Sequence, residues 1–371
     1  MLYLCSVKVS VIIPFYKVEA FIGRCAESLL GQSLDDVEFI FVDDASPDGS
    51  ASVLCDVVSR HPSRDVKILR HEVNRGLPAA RNTGLAAATG DFIYHCDSDD
   101  YLEKNALQTL WTAAVTNGAD YAYCDFYLET ESSSRVLDNP AFSDSGRMLR
   151  EGFLSGRMKY NVWNKLVARS VYERSGVLFP DGHSMGEDMT MILLALHSVR
   201  PVRVPVPLYH YMRTNPSAFT AGSSSASASA SSTSAGSSSA SASASSASAG
   251  PSSASASHAG VLPGSPSVIS SEVEKSRLDD IRFNADRVLA ALEGRVEPEF
   301  IAFFKLSLKL PFLFDGKPGY ERWKQWYPEA NGYILKNRFL PLRTRLVQLA
   351  ARLGLYPLVA LYADLLSRRG Q

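Results

Sequence analysis

Two runs of β-branched and aromatic residues, "VKVSVIIP" at 7–14 and "VEFIFVDD" at 37–44, leave this chain few ways to fold. Strands with near-continuous apolar sequence are buried on both faces, as in parallel sheets covered by helices. Between them "VEAFIGRCAESLLGQ" spaces Phe21, Ile22, Cys25, Leu29 and Leu30 along one helix face, with Gly31 as its stop. The alternation continues. "SPDGSASVLCDVVSRH" reads as turn then helix, "VKILRH" as a strand, "PAARNTGLAAATG" as a helix opened by proline, and "DFIYHCD" as a fourth strand. Strand–helix alternation at this spacing predicts an α/β fold with a doubly wound, mostly parallel sheet and helices on both faces.

Ligands of such sheets bind beyond the carboxyl ends of the strands. The tips "PFYK", "VDDASPDGS" and "HCDSDD" are therefore expected to share one edge, bringing together an aromatic ring, an Asp pair and an Asp cluster. In "HCDSDDYL", Asp97, Asp99 and Asp100 repel one another and need a compensating partner. Solvent and turn or cap chemistry provide one answer; a divalent cation with hard oxygen ligands provides another. No G-x-G-x-x-G or G-x-x-x-x-G-K-[ST] follows any of these strands, so a phosphate ligand would lean on metal rather than on a glycine cradle.

A formal net charge of −1 gives no global attraction for nucleic acid, which is not an expected partner. The five cysteines (Cys5, Cys25, Cys55, Cys96, Cys124) form no CxxC pair and read as small buried thiols in a reducing, cytoplasmic setting. "MLYLCSVKVSVIIP" lacks a basic start and runs into a strand pattern, so it reads as fold rather than export signal. No apolar run of about 18 residues is present, so no spanning helix is expected. From 221 to 260, 33 of 40 residues are Ser or Ala, and "AGSSSASASASS" occurs twice. So little apolar bulk cannot offset the entropy of ordering, and 221–264 reads as a flexible linker or insertion. It separates a catalytic body, 1–220, from a helical C-terminal region, 265–371. From 317 to 371 there are 10 Lys/Arg against 3 Asp/Glu, interleaved with Leu, Tyr and Val. That pattern suits helices lying peripherally on an anionic membrane surface, or alternatively a helical cap or homodimer contact.

"VSVIIPFYKVEAFIGRCAESLLGQSLDDVEFIFVDDASPDGS", "NRGLPAARNTGLAAATGDFIYHCDSDD", "VWNKLVARSVYE" and "GEDM" together resemble a family 2 inverting glycosyltransferase of the GT-A fold, of the bacterial polysaccharide type. The likeness covers roughly 6–220. Lys17 departs from it, since asparagine usually follows the tyrosine, and the Ser/Ala tract falls just after the motif that should cover the donor. The resemblance implies transfer of a sugar from a UDP-sugar to a glycan or lipid-linked acceptor, with Mn²⁺ or Mg²⁺ as cofactor. It makes Tyr16 a stacking platform for uracil with Pro14 shaping the pocket, and gives Asp44, rather than Asp43, the uracil ring. Arg81, beside Asn82, would reach uracil or diphosphate. Asp99 becomes the main metal ligand, and Asp97 serves ribose or the metal. Asp100 supports them or caps a helix near Glu103. Asp188 becomes the general base, with Glu187 orienting it or contacting acceptor; a charged helix start is the plainer reading of both. Lys165 would approach the same edge. His210 would meet the metal and Arg213 the diphosphate. Trp163 is either core or sugar platform. The competing classes are a sugar-1-phosphate nucleotidyltransferase, whose Gly-rich basic loop "PFYKVEAF" is not, and a non-catalytic nucleotide-sugar-binding module.

Overall fold

The computed structural model describes residues 7–213 and 271–369; the Ser/Ala tract and Cys5 lie outside them. The body alternates β1 (Val9–Phe15), α1 (Glu19–Leu30), β2 (Val37–Asp43), α2 (Ser50–Ser59), β3 (Asp65–Arg70), α3 (Leu77–Ala87) and β4 (Phe92–His95). It continues through β5 (Tyr101–Leu102), α4 (Ala106–Thr116), β6 (Tyr121–Glu129), β7 (Ser134–Leu137), α5 (Ser145–Arg147), β8 (Lys165–Ala168), α6 (Arg169–Ser175), α7 (Thr190–His197) and β9 (Pro201–Met212). Every residue of β1 and β2 is buried, as their unbroken apolar sequence requires. In α1 the inward face is Ile22, Cys25, Ala26, Leu29 and Leu30, and the helix stops at Gly31. At Gly84 α3 lies directly on β1: a Cβ there would stand 2.4 Å from Ile12 Cγ2, so only glycine permits this approach.

The strands order as β3-β2-β1-β4-β8-β6-β9-β5, with β7 beside β6. From β3 to β4 all pairings are parallel. Beyond β4 the expectation needs qualifying. β8 runs antiparallel to both β4 and β6, β5 and β7 are antiparallel additions, and only β6–β9 is again parallel. A short strand buried on both faces is apolar whichever way it runs, so the sequence pattern does not encode its direction. The helix expected near Glu103 begins instead at Ala106, because Tyr101 and Leu102 pair with Tyr209 and His210 of β9. Of the cysteines, Cys25, Cys96 and Cys124 are buried, whereas Cys55 is exposed on α2, contrary to expectation.

Among the described residues the C-terminal region is built of helices: α8 (Ser271–Leu292), α9 (Pro298–Lys309), α10 (Gly316–Gln325), α11 (Leu342–Arg352) and α12 (Tyr356–Arg369). Its first part is not a separate unit, since Ala285, Val288, Leu292, Phe304 and Leu308 join the hydrophobic core of the body. A second core gathers Phe312, Leu313, Trp323, Ile334, Val347 and Val359.

Candidate active site

The chain order reverses at β1: β2 and β3 lie to one side and β4 to the other, placing the topological switch point between the ends of β1 and β4. The tips singled out above meet there. Pro14 is buried in β1, and Tyr16, just beyond it, is 39% exposed. Lys17 adopts φ +54, a region that Asn tolerates better than Lys, and its Nζ lies 5.1 Å from the Tyr16 ring centroid.

At the tip of β2 the two aspartates are hydrogen-bonded differently. Asp44 is consumed locally: Oδ1 accepts from His71 Nδ1 at 2.7 Å and Arg75 N at 2.8 Å, and Oδ2 accepts from Gly76 N at 2.8 Å. His71 in turn reaches Thr83 Oγ1 on α3 at 2.8 Å, so this network fixes the loop into α3. Asp43 accepts from Ser46 N through Oδ1, while among the described residues its buried Oδ2 has no hydrogen-bond partner and lies 3.5 Å from Arg70 Nε.

The motif at the end of β4 divides its labour. Asp100 is fully buried, accepting from Tyr209 Oη at 2.7 Å and from Met212 N at 2.7 Å. Burial, then the charges of Asp99 and Asp97, push its carboxyl well above the usual range. It fastens the motif to β9 and caps no helix. Asp97 and Asp99 are half-buried; Asp97 Oδ1 accepts from Arg81 Nη2 at 3.0 Å, and Arg24 Nη2 donates to the Asp99 carbonyl at 2.9 Å.

Arg81 is the centre of the arrangement. It is 1% exposed, stacks over Phe179, and lies 3.7 Å from Glu187 Oε1 as well as 3.0 Å from Asp97. Its Nε and Nη1 are buried without a hydrogen-bond partner among the described residues. Buried donors of that kind carry a large cost unless a ligand satisfies them. Beside it, the one-turn helix Glu187–Met189 presents the second acidic pair. Burial and the charge of Asp188 push Glu187 well up, with Arg81 opposing. Asp188 is raised to about 6, by burial first and also by Asp97, against the pull of Arg81 and Lys165. Lys165, itself buried, donates to Asn161 O at 2.5 Å and Asn164 Oδ1 at 2.7 Å; burial lowers it to about 7.

The remaining singled-out residues have the following surroundings. His210 is engaged away from the Asp97 motif: Nδ1 faces Glu129 Oε1 at 2.8 Å and Nε2 faces Glu103 Oε1 at 3.1 Å, so both ring nitrogens are occupied by carboxylates rather than turned to an ion. Its ring is stacked between Tyr101 and Tyr127. Trp163 is core, stacked on Tyr209 at 4.4 Å and Tyr211 at 5.2 Å. Asn82 is a loop clamp, bonded to both the N–H and the carbonyl of Phe179. Arg213, the last described residue of the body, donates its backbone N–H to Glu129 O at 2.9 Å. Tyr209, which ties Asp100 to the Asp97 backbone N–H at 3.2 Å, carries no spacing signal in the sequence.

Among the described residues no three His, Cys, Asp or Glu side chains form a metal-holding group. Two half-buried carboxylates, Asp97 and Asp99, still fit a divalent ion that takes its remaining oxygens from a diphosphate and water.

Comparison with known proteins gives a consistent picture. Residues 10–173 match the description Glycosyl transferase family 2. Over 221 residues the chain is 34% identical to the uncharacterized glycosyltransferase EpsJ of Bacillus subtilis (strain 168), covering 57% of this chain and 62% of that relative. The putative glycosyltransferase EpsH of the same organism is 31% identical over 211 residues, 55% of this chain and 60% of EpsH. The match thus spans less than two thirds of either relative. In fold the chain is similar to S. aureus TarS 1–349 in complex with UDP-GlcNAc, with TM-score 0.58, 16% identity, and 98% and 92% of the two chains covered. A mannosyltransferase from Pyrobaculum calidifontis, in complex with GDP-Man and Mn²⁺, aligns with TM-score 0.50 at 16% identity over 97% of this chain and 84% of that one.

Proposed function

We propose, from the match of residues 10–173 to glycosyl transferase family 2, that the protein is an inverting glycosyltransferase using a UDP-sugar and a glycan or lipid-linked acceptor hydroxyl. The observation that carries this reading is the Arg81 hub, which joins the Asp97 motif to the Glu187–Asp188 pair across the mouth of the sheet. A donor diphosphate at this edge would be drawn by the charge of Arg81, whose two unsatisfied guanidinium nitrogens are buried and would reach it only after a local shift of the side chain or its cover. Tyr16 supplies a stacking face, for which Lys17 must swing aside. Asp43 Oδ2, without a hydrogen-bond partner among the described residues, offers the carboxylate oxygen for an imide N–H in place of Asp44, three of whose acceptor positions are taken. The uridine assignment draws support from the UDP-GlcNAc carried by TarS.

Asp97 and Asp99 would hold the divalent ion, which when bound neutralises charge developing on the departing diphosphate. Asp188 takes the proton of the acceptor hydroxyl as that oxygen bonds to the anomeric carbon, and the glycosyl bond to the nucleoside diphosphate breaks from the opposite face. A carboxyl raised to about 6 is suited to this, because it is ionised at neutral pH yet basic enough to accept the proton. Arg81, Asp97 and Lys165 set its charge environment, and Glu187 hydrogen-bonds to it. The decisive experiment is a turnover screen of UDP-sugars with Mn²⁺ or Mg²⁺ and a panel of glycan and lipid-linked acceptors, reading UDP release. Release of pyrophosphate from UTP and a sugar 1-phosphate would instead mark a nucleotidyltransferase; binding with no turnover would mark a binding module.

Chelation should abolish most UDP binding in calorimetry, and Asp99→Ala should do the same while leaving the fold intact. Unchanged affinity in both would remove the metal from the mechanism.

No helix among the described residues is long and apolar enough to cross a membrane. The C-terminal helices nevertheless fit a bilayer surface. Leu342 and Leu346 on α11, and Leu358, Leu361 and Leu365 on α12, are 49–57% exposed at i, i+3 and i+4 spacing. They accompany the net positive charge of 317–371, which complements anionic lipid on the cytoplasmic face, where a lipid-linked acceptor would be presented. Leu358→Glu/Leu361→Glu/Leu365→Glu should abolish sedimentation with anionic vesicles at low salt and leave UDP binding unchanged. Deleting the helices is a poorer test, because Val347, Ala351 and Val359 belong to the second core. A wild-type protein that ignores such vesicles, or dimerises through this face, would overturn the membrane assignment.

A further inference from the structure

The segment carrying Glu187 and Asp188 is short of internal structure. Between α6 and the one-turn helix at 187–189, the loop 177–186 makes one backbone turn of its own, His183 N–H to Pro180 O at 3.1 Å. It enters that helix through Gly186 at φ +81, a left-handed conformation disfavoured for other residues. Such a loop positions a catalytic carboxylate only if something outside it fixes its backbone.

Two elements do so from opposite sides. Asn82 on α3 holds Phe179 through both its N–H and its carbonyl. The other side is held by α8, which comes from the far end of the sequence. Asp280 Oδ2 accepts from Met185 N at 3.2 Å, and Oδ1 lies 3.0 Å from His183 Nδ1. Asn284, 1% exposed, donates to Met185 O at 3.1 Å and to His183 O at 3.5 Å. Arg287 Nη2 donates to Leu178 O at 2.8 Å, and Phe283 stacks on His183 with centroids 3.7 Å apart. At Gly186 the two backbones nearly touch: a Cβ would stand 3.6 Å from Ile281 Cα and 3.1 Å from Met189 Cε. One helix face, residues 280, 283, 284 and 287, thus satisfies the polar groups of a loop that belongs to the other side of the Ser/Ala tract.

We infer that α8 is the positioning element for the catalytic base, with Asp280 and Asn284 as positioning residues that act through the loop on Asp188. This rests on the reading of Asp188 as base. A misplacement of about 1 Å in a reacting group costs on the order of 10²-fold in rate. Loosening the clamp should therefore be read in kcat and not in donor affinity, since the proposed donor contacts lie at the ends of β1, β2 and β4 and on α3.

The test measures kcat, donor KM, UDP affinity and amide exchange in Asp280→Ala, Asn284→Ala and Asp280→Asn. Expected are a fall in kcat of about ten- to a hundredfold in both alanine variants, UDP affinity within about twofold of wild type, and faster exchange confined to 178–186. Asp280→Asn keeps an oxygen for Met185 N and should recover most of the rate. Glu274→Ala, on the same helix but paired with Arg322 of α10, should behave as wild type. If buried Asn284→Ala does not fold, Asp280→Ala at the more open end of the clamp carries the test. Wild-type kcat in folded Asp280→Ala overturns the inference, as does an equal fall in kcat and UDP affinity. The two ideas fail separately. An active Asp188→Asn removes the base itself, whereas an inactive Asp188→Asn with normal clamp variants removes only the role of α8.

Discussion

Asp188→Asn is expected to lower sugar transfer by about 10²–10⁴-fold, the usual contribution of a general base. The amide keeps the shape of the side chain and loses its basicity, so UDP affinity should stay within a few-fold of wild type. A group acting only on the acceptor proton stabilises the transition state without contributing to donor binding. The pH dependence supplies a second readout. With Asp188 raised to about 6 by burial, against the pull of Arg81, the active carboxylate form is populated above that pH and lost below it. The transfer rate of the wild type should therefore climb as pH rises through about 6, as a property of the coupled Glu187–Asp188 pair. Near-wild-type turnover in Asp188→Asn would move the base elsewhere, first to Glu187. Parallel loss of UDP binding and rate would place Asp188 among the donor contacts.

Arg81→Met should have the largest effect on stability. The guanidinium is buried against Asp97 and Glu187, and its charge also acts on Asp188. Removing one member of a buried charge group typically costs about 3–5 kcal/mol, because the remaining charges keep their desolvation penalty. The sign of the pH dependence follows from the acidic partners. Arg81 holds the Glu187 and Asp188 carboxyls down; without it their folded-state pKa values rise further above the unfolded values. Groups that prefer the protonated form in the folded state favour folding at low pH and lose that contribution as pH rises. The deficit of Arg81→Met relative to wild type should accordingly widen between about pH 5 and pH 8 in urea denaturation, and any residual activity should have its acid limb displaced upward. Equal stability of variant and wild type at the upper end of that range would show that the carboxylates are compensated by something other than Arg81.

Much of this arrangement was legible in the chain before its fold was known. Unbroken apolar runs at β1 and β2, a helix face in α1, proline at the start of α3 and aspartates at the tips of β2 and β4 follow from local periodicity and turn chemistry. Those regularities repeat every two or three to four residues, so a short window contains them. The topology rule then carries them to one edge, and the family resemblance supplied candidate roles for Asp97, Asp99, Glu187 and Asp188.

What escaped was everything set by partners distant in sequence. "VDD" does not reveal which aspartate is spent; the backbone N–H groups of Arg75 and Gly76, in the loop before α3, take Asp44 and leave Asp43 Oδ2 unsatisfied. "DSDD" does not say that Asp100 is structural, which Tyr209 and Met212 decide. His210 looks like a ligand until Glu103 and Glu129 occupy both nitrogens. The C-terminal helices look like an appendage until Asp280 and Asn284 are found holding the loop of the proposed base. The kinds of element, their order and the chemistry stored at the strand tips depend on neighbours along the chain, and the amino-acid order is enough to specify them. Which of those polar atoms are satisfied, and which remain for a ligand, emerges only on folding, because buried donors and acceptors are matched through space.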